Sequence, residues 1–341
     1  FPTRRSSDLD DYVNQEGYVP TTYTRIREQN LAGYAQYSHP LPFGQANIGL
    51  RYEHVDFDYF ENATFVPGQS RVYDNIFPNI SVNGQLGKVQ FQVSYAAKTQ
   101  RPNYSQLRNN ITYANRFTWQ TGNPLLKPSV THDITAVGVW RFFQAMVSYK
   151  VVRDYILYWG TQVENQSATT LINYINHDRL PSLTVMLAAS PTIGIWNLNA
   201  SAIVMKQWFS LDAAGQRRTY NNPLFVGSLN NTFTLPAGFL LSADFNYQSR
   251  GQVQNITLKR PQYTLNIGLR KSLFNDALSI EARANDLLLG CKQEALLYME
   301  SAQMKDLSWS DTRSFSLTVR YKFNAAKSKY KGTGAGQDTI N

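Results

Sequence analysis

Apolar and polar residues alternate along most of this chain with a period of two. In residues 88–98, valine, phenylalanine and tyrosine side chains alternate with lysine, glutamine and serine, and residues 241–247, 263–269 and 314–323 alternate in the same way. Successive side chains of a β-strand point to opposite faces of its sheet. Each of these segments therefore predicts a strand with one apolar and one polar surface.

Residues 46–59 depart from this regular pattern. Their apolar residues occupy even positions up to Tyr52 and odd positions from Val55 onward. A shift of one residue indicates a bulge near residues 53–54. It fits equally well the point at which the strand leaves the membrane, where lipid no longer selects the outward side chains.

The connections between the predicted strands alternate between short and long ones. Each short connection has three to five residues, and several contain Gly, Pro, Asn or Asp, which tight turns prefer. The long connections are predicted at residues 60–73, 99–129, 160–168, 212–221, 251–259 and 288–311. This asymmetry is typical of membrane barrels, which have tight periplasmic turns on one rim and long loops on the other.

The alternation and the connections together predict an all-β fold, an antiparallel transmembrane β-barrel with about 13 strands of roughly ten residues each. The barrel strands and loops are assigned to residues 10–324, a non-native scar to residues 1–9 and a flexible tail to residues 325–341. A single-chain bacterial barrel usually has an even number of strands. An odd number that begins and ends in the same direction therefore predicts the C-terminal part of a larger barrel.

The composition adds two observations. The chain contains 21 Tyr, 18 Phe and 6 Trp among 341 residues, and Tyr and Trp favour the boundary between membrane and water. A tyrosine-rich soluble β-sandwich that serves as a binding module is the alternative that fits the same composition. The net charge of +9 is spread along the chain without a basic block, so no nucleic-acid partner is predicted.

No residue pattern for catalysis or cofactor binding stands out. Cys291 is the only cysteine, so neither an internal disulfide nor a cysteine-based zinc site is predicted. HExxH and GxSxG motifs are absent, and no two histidines are spaced four residues apart. The four histidines are His39, His54, His132 and His177. The chain is therefore predicted to be a non-enzyme without a metal or cofactor.

Two neighbouring motifs carry a resemblance to a known family. Residues 94–107 read SYAAKTQRPNYSQL, and residues 119–128 read WQTGNPLLKP. The pair resembles the signature of the Bacteroidetes-type outer-membrane β-barrel family of TonB-dependent receptors. The family's loop positions fall on Arg101, Pro102, Tyr104, Leu107, Gly122, Asn123, Pro124 and Pro128. These motifs are interpreted as structural anchors of a loop rather than as ligand contacts.

The resemblance implies a bacterial outer-membrane location and a barrel of about 22 strands with an N-terminal plug domain. Its expected partners are outer-membrane lipid, the barrel-assembly machinery and the TonB energy-coupling system, which is reached through a plug not recognised in this chain. It also allows a surface lipoprotein as a partner. The predicted function is the barrel portion of a TonB-dependent receptor that takes up a bulky nutrient of unspecified chemistry. A passive porin-like or structural barrel is the alternative.

The long loops 99–129 and 288–311 are expected to catch the ligand, because function concentrates in loops held by a rigid scaffold. Their aromatic rings could stack on a sugar or a peptide, or else form a membrane-boundary girdle. These candidates are Tyr113, Phe117, Trp119, Tyr298 and Trp309. The last strand resembles the signal that the barrel-assembly machinery reads by transient pairing with a free strand edge. Its alternating residues are Phe315, Leu317, Val319, Tyr321 and Phe323.

Overall fold

The computed structural model describes residues 23–115, 117–163, 166–300 and 303–323, and most of these residues are in strands. The predicted scar, and the predicted tail from residue 325 onward, lie outside the described residues. The thirteen long strands are β1 (Thr24–Leu41), β2 (Gly44–Glu61), β3 (Arg71–Leu86), β4 (Val89–Gln100), β5 (Ser129–Trp140), β6 (Phe143–Val163), β7 (Gln166–Ala189), β8 (Trp196–Gln207), β9 (Leu224–Leu235), β10 (Phe239–Gln248), β11 (Gln262–Leu273), β12 (Leu278–Asn285) and β13 (Ser314–Tyr321).

Each long strand pairs antiparallel with the strand before it and the strand after it, so the thirteen form one continuous meander. Within the described residues, β1 pairs with β2 alone and β13 with β12 alone, so these two strands are the edges of the sheet. The prediction of about 13 antiparallel strands is confirmed. Period-two alternation identified them because each strand separates an apolar from a polar surface.

The two rims of the meander, where the strands are connected, differ in the length of their connections. At the short-turn rim the connections are tight, such as residues 42–43 and 87–88, with the short strand Thr192–Ile193 and the 3-10 turn Pro236–Gly238. The long-loop rim carries the α-helix α1 (Tyr104–Leu107) and the 3-10 turn Pro67–Gln69. Its short strands are Thr64–Phe65, Thr112–Asn115, Thr118–Gln120, Phe209–Ala213, Gln216–Tyr220, Gly251–Val253, Ile256–Leu258, Lys292–Tyr298 and Gln303–Trp309. None of the helices in the described ranges is long and apolar enough to cross a membrane.

Three of the predicted long loops are β-hairpins instead. The pairs are Phe209–Ala213 with Gln216–Tyr220, Gly251–Val253 with Ile256–Leu258, and Lys292–Tyr298 with Gln303–Trp309. The last two hairpins join into one four-stranded sheet. Local pairing satisfies backbone donors and acceptors that an open loop would leave to water. Strands this short alternate too briefly to be recognised from sequence.

The register carries one apolar face across the meander. Ile48 lies opposite Ile80, and Ile134 lies opposite Tyr149. Ile48, Ile80 and Ile134 are 54%, 47% and 51% exposed, whereas a soluble protein rarely exposes a contiguous apolar surface of this extent. A soluble β-sandwich would bury these apolar faces between its two sheets. The apolar face is instead the lipid-facing, outward surface of a membrane barrel wall, and the polar face lines the lumen.

The change of phase in β2 has no bulge behind it. Residues 44–61 keep one register with β1, and residues 44–57 keep one with β3, so the bulge predicted near residues 53–54 is wrong. Above Tyr52 the outward positions become polar, while the inward residues Val55, Phe57 and Tyr59 are buried. The structure fits the other interpretation, in which the strand leaves the membrane at this point.

Candidate functional site

The two longest strands form the centre of the long-loop rim. β6 has 21 residues and β7 has 24, whereas about 9–11 residues cross a bilayer. Roughly ten residues of each strand therefore project beyond the membrane; we call this projecting pair, residues 154–177, the outer hairpin. The predicted loop at residues 160–168 is wrong, since β6 runs to Val163 and β7 begins at Gln166. Alternation failed there because loops cover both faces of the hairpin.

The connection of residues 101–128 folds back against the outer hairpin and begins with α1. The Asn103 side chain accepts a hydrogen bond from the Gln106 backbone N–H at 2.9 Å, and the Gln106 side chain accepts one from the Asn103 N–H at 2.9 Å. This capping box satisfies two backbone donors that a single helical turn would otherwise leave open. The first loop motif therefore encodes the turn locally.

Arg101 ties the start of this connection to the barrel wall. Its guanidinium lies 3.2 Å from the Glu28 carboxylate on β1 and 2.8 Å from the Glu53 carboxylate on β2. Glu53 also pairs with Arg51 at 2.7 Å, and its side chain is only 9% exposed. A buried carboxylate needs such partners because its desolvation is costly. The arginine of the first motif is therefore held by an ion-pair network on the lumenal face.

Arg71 of β3 fixes the second loop motif, residues 119–128, by hydrogen bonds to its backbone. Its guanidinium donates hydrogen bonds to the carbonyl oxygen of Pro124 and, at 2.8 Å, to that of Leu125. Gly122 leaves no room for a side chain, since a Cβ atom there would lie 2.5 Å from the Gln106 carbonyl oxygen. The glycine of this motif is therefore explained by a close approach between two backbone segments.

Two asparagines attach the second motif to the outer hairpin. The Asn123 amide donates to the Tyr174 carbonyl oxygen at 2.9 Å. The Asn176 side chain accepts from the Lys127 N–H at 2.8 Å and donates to the Lys127 carbonyl oxygen at 3.0 Å. These bonds pair a loop backbone with strand positions distant in sequence, so they fix the loop against β7.

The remaining motif residues pack beside these anchors. Leu107 and Leu126, 3% and 1% exposed, pack against Phe57 and Tyr59 of β2. Burying each leucine contributes roughly 1.5–3 kcal/mol. Pro102 and Pro128 line an adjoining cavity of about 20 Å³, which has room for about one water molecule. Tyr104 is the exception, being 44% exposed.

Three further connections contact the outer hairpin. Leu157 and Trp159 pack against Phe209 of the 209–220 hairpin. The Glu300 N–H donates to the Gly160 carbonyl oxygen at 3.1 Å, and the Asn255 amide donates to the Tyr158 carbonyl oxygen at 3.3 Å. We call the outer hairpin together with residues 101–128, 209–220, 251–258 and 292–309 the loop platform. The loops at this rim are thus one folded assembly rather than independent segments.

The five predicted ligand-loop aromatics all lie on the loop platform, in two groups. Tyr113 and Trp119 contact each other edge to face with ring centres 5.1 Å apart, and Phe117 between them is 49% exposed. The second group is Tyr298 and Trp309, and the Arg218 guanidinium lies 3.7 Å from the centre of the Tyr298 ring. Trp309 is 64% exposed. Phe117 and Trp309 therefore offer the most accessible ring surface.

Two ionisable groups of the loop platform have shifted pKa values. A hydrogen bond from Lys305, 2.9 Å away, lowers the pKa of Glu294 below its ordinary value. Burial raises the pKa of the Tyr220 hydroxyl to about 12, and this hydroxyl has no hydrogen-bond partner among the described residues. One shift comes from a surface ion pair and the other from packing, so neither indicates acid–base chemistry. In the part of the chain that the structure describes, no cluster of three His, Cys, Asp or Glu could hold a metal ion.

β13 places its predicted apolar residues on the outward face. Phe315 lies opposite Ala284 and Tyr321 opposite Leu278. Phe315 and Leu317 are 72% and 71% exposed, and Val319 follows on the same face. The Tyr321 and Phe323 rings meet edge to face, 4.7 Å apart. The strand therefore combines an apolar face with an edge that no other described strand covers.

A depression of about 840 Å³ lies away from the loop platform, on the outward face of β4 to β10. Its floor consists of small residues, among them Gly138, Ala145, Ala202 and Gly227. Because this surface faces lipid, the size of a cavity does not identify a nutrient site here.

Sequence reasoning found the two loop motifs of residues 101–128 but missed most of the residues that hold the connections of the loop platform in place. Glu53 carried one usable signal, since it stands where the alternation of β2 changes phase. Arg71, Gly160, Asn176 and Asn255 carried none, because each acts through a contact with a segment far away in the sequence.

An antiparallel wall with a lipid-facing apolar surface, tight turns on one rim and folded loops on the other defines an outer-membrane β-barrel protein. The chain belongs to the "Outer membrane protein beta-barrel family", whose sequence profile matches residues 4–321. The outer-membrane β-barrel family expected from the two loop motifs is confirmed, and with it the bacterial outer-membrane location. No curated protein matches the sequence.

Three solved structures show the same fold. They are the FrpB iron transporter from Neisseria meningitidis (F3-3 variant), 16% identical; the copper transporter OprC, 13% identical; and the ferric-catecholate import receptor Fiu from E. coli K12, 13% identical. Each superposition has a TM-score of 0.55 and covers 88% of this chain and 46%, 48% and 45% of the other chain, respectively. The chain thus spans about half the length of these proteins.

Proposed function

We propose that this chain forms the barrel wall and outer loop platform of a TonB-dependent receptor that imports a bulky nutrient across the outer membrane. The observation that carries the proposal is the loop platform itself, in which four connections are fastened to one projecting hairpin. A rigid scaffold that holds aromatic loops at the outer rim suits ligand capture. The shared fold with two metal transporters and an import receptor supports transport over catalysis.

In this proposal the loop motifs and the aromatics have different roles. Arg101, Gly122 and Asn123 position the loop, which their contacts with the wall and the outer hairpin support. Phe117 and Trp309 contact the nutrient, which their exposure supports. Tyr113, Trp119 and Tyr298 hold the loops in shape, since their rings contact other side chains and are less exposed than those of Phe117 and Trp309.

The remaining partners follow from the same proposal. A plug domain inside the polar lumen would link the receptor to the TonB system. The apolar face and free edge of β13 would be read by the barrel-assembly machinery through transient strand pairing. A surface lipoprotein, if one caps the receptor, would meet the loop platform.

Uptake by cells that carry or lack the gene for the complete protein tests the proposal. The labelled probes are a ferric siderophore complex, cobalamin, an oligosaccharide mixture and an oligopeptide mixture. We expect uptake of one probe to require the gene and to stop when a protonophore removes the energy source. Uptake that needs the gene but continues under the protonophore would replace the proposal with the porin-like alternative. If no probe depended on the gene, nutrient import would be rejected.

The variant Trp309→Ala tests the ligand contact in the same assay. We expect the apparent affinity for the imported probe to fall about tenfold, as stacking contacts typically contribute 1–2 kcal/mol. Trp140→Ala is the matched control, because it removes an exposed tryptophan at the short-turn rim. Equal loss in both variants would show that Trp309 acts on stability rather than on binding.

A further inference from the structure

Two neighbouring strands, β6 and β7, change from apolar to basic at the same step of their outward faces. On β6 the outward residues from Phe143 to Val151 are apolar, and the next outward residue is Arg153. On β7 the outward residues from Ala189 up to Pro181 are apolar, and the next is Arg179. Residues 143–151 and 181–189 are nine residues each, about the length of tilted strand that spans a bilayer. Both arginines therefore lie at the outer boundary of the hydrocarbon layer.

The two arginines face each other across the pair of strands β6 and β7. Arg153 and Arg179 are directly opposite in the β6–β7 register, which brings their Cβ atoms to about 5 Å. Both side chains are exposed. In the ranges that the structure describes, no carboxylate oxygen lies within 4.0 Å of either guanidinium. Like charges opposite each other destabilise a sheet, so this pair indicates an anion supplied from outside the chain.

β8 extends the basic site and gives it an aromatic floor. Lys206 lies opposite Leu183, and its ammonium group is 5.6 Å from the centre of the Trp208 ring. Trp208 is 43% exposed, lies 6.5 Å from the Tyr149 ring, and its backbone N–H donates to the Pro181 carbonyl oxygen. Tryptophan and tyrosine at this depth favour the level of lipid headgroups. Lys206 and the two rings therefore lie just below the arginines on the outward face, within two outward positions of them.

We infer that Arg153 and Arg179 bind a phosphate group of an outer-leaflet lipid, with Lys206 beside the same lipid and the acyl chains along the apolar residues below. The long-loop rim is the extracellular rim, so the lipid belongs to the outer leaflet. Guanidinium groups bind phosphate through paired, charge-assisted hydrogen bonds. The apolar surface directly beneath, from Tyr149 through Val147 on β6, suits a lipid and has no use for a soluble anion.

Lipid binding by the full chain tests this inference. The chain is extracted from outer membranes in detergent, freed of lipid, and titrated with lipid A that carries two phosphates, with bound lipid counted by native mass spectrometry. We expect one tightly bound lipid per chain. After enzymatic removal of its phosphates, the same lipid should bind at least about tenfold more weakly. The double variant R153Q/R179Q should lose binding by a similar factor. The variant R153K/R179K keeps the charge but loses the paired donors. Its affinity for lipid A should therefore lie between those of the unchanged chain and R153Q/R179Q.

Arg27→Gln is the matched control. Arg27 is an exposed arginine on the outward face of β1, and it lies opposite Asp58 rather than another base. We expect this variant to bind lipid as the unchanged chain does. Equal binding of phosphorylated and dephosphorylated lipid A by the unchanged chain would overturn the inference, and this comparison needs no variant to fold. Displacement of the lipid by millimolar inorganic phosphate would also overturn it in favour of a free-anion site.

Discussion

The outward face carries charged residues just above its apolar band at two places, and these differ in their partners. On β2 and β3, the Asp74 carboxylate accepts a hydrogen bond from the Tyr52 hydroxyl at 2.6 Å and lies 2.9 Å from His54 Nδ1. On β6 and β7, Arg153 and Arg179 face each other, and no described carboxylate lies within 4.0 Å of them. Both sites are exposed and sit one step above apolar positions, so partner chemistry is what separates them.

This difference indicates at which of the two sites the stability of the wall depends on membrane lipid. The β2–β3 site satisfies its charges within the chain and needs nothing from the membrane. The β6–β8 site leaves its guanidinium groups to whatever anion the outer leaflet provides. Changes that remove a partner inside the chain should therefore cost stability in any detergent. Changes at the β6–β8 site should matter only when the right lipid is present.

Removing Arg101 breaks the most deeply satisfied charges and should have the largest effect. In Arg101→Met, Glu28 and the largely buried Glu53 lose a guanidinium at 3.2 and 2.8 Å. We expect a loss of about 2 kcal/mol in unfolding free energy, because hydrogen bonds to charged groups contribute roughly 1.5–3 kcal/mol and Arg51 still pairs with Glu53. Thermal unfolding in detergent measures it. Arg25→Met, an exposed arginine on β1 that stacks on Phe60, is the control and should lose less than half as much.

Arg179→Glu sharpens the comparison by making the β6–β8 site self-contained. The new carboxylate would lie opposite Arg153, and an opposite-charge pair across two strands contributes roughly 0.2–1 kcal/mol. We expect thermal stability without lipid to stay equal or rise slightly, while binding of phosphorylated lipid A falls about tenfold. A variant that lost stability without lipid would contradict the view that Arg153 lacks a partner inside the chain.

Tyr220 represents a third case, a buried polar group for which the described residues provide no hydrogen-bond partner. Its side chain is 1% exposed, and its hydroxyl has no described hydrogen-bond partner. Tyr220→Phe should therefore keep or raise the stability of the 209–220 hairpin by up to about 1 kcal/mol, since an unpaired buried hydroxyl carries a desolvation cost. Protease cleavage within that hairpin measures it. Greater cleavage in the variant would show that the hydroxyl has a partner after all.

The pH dependence of Tyr220 follows from burial. Burial raises the pKa of its hydroxyl to about 12, above the unfolded value of about 10. The stability that depends on the neutral form is therefore complete below about pH 10 and is lost as the pH rises toward 12. Hairpin cleavage in the unchanged chain should increase over this range more steeply than in Tyr220→Phe. Parallel curves would contradict the assignment.

Most of the fold could be predicted from sequence, and most of the loop platform could not. The long strands were recognisable because lipid selects every second side chain, as in β4 and β13. The sequence shows that the alternation changes phase after Tyr52. Only the register of β2 with β1 and β3 decides between a bulge and the end of the membrane-spanning part. Asn176 and Arg71 act on residues about 50 positions away, and nothing in their local sequence marks such a contact. Arg153 and Arg179 became a pair only once β6 and β7 were in register.

Asp74→Asn tests the β2–β3 site, where we expect the smallest contribution to stability. The Asp74 side chain is 58% exposed, so its interactions with His54 and Tyr52 are screened by solvent, and exposed pairs contribute roughly 0.2–1 kcal/mol. We expect a small loss, which lowers the thermal midpoint by about 1–2 °C, in every detergent and with or without lipid A. Arg179→Gln, measured beside it, should leave the midpoint unchanged or raise it slightly without lipid, and should lower it only when lipid A is present. If both variants lost the same stability without lipid, the two sites would not differ in where their partners come from, and the outward arginines would have to be satisfied within the chain.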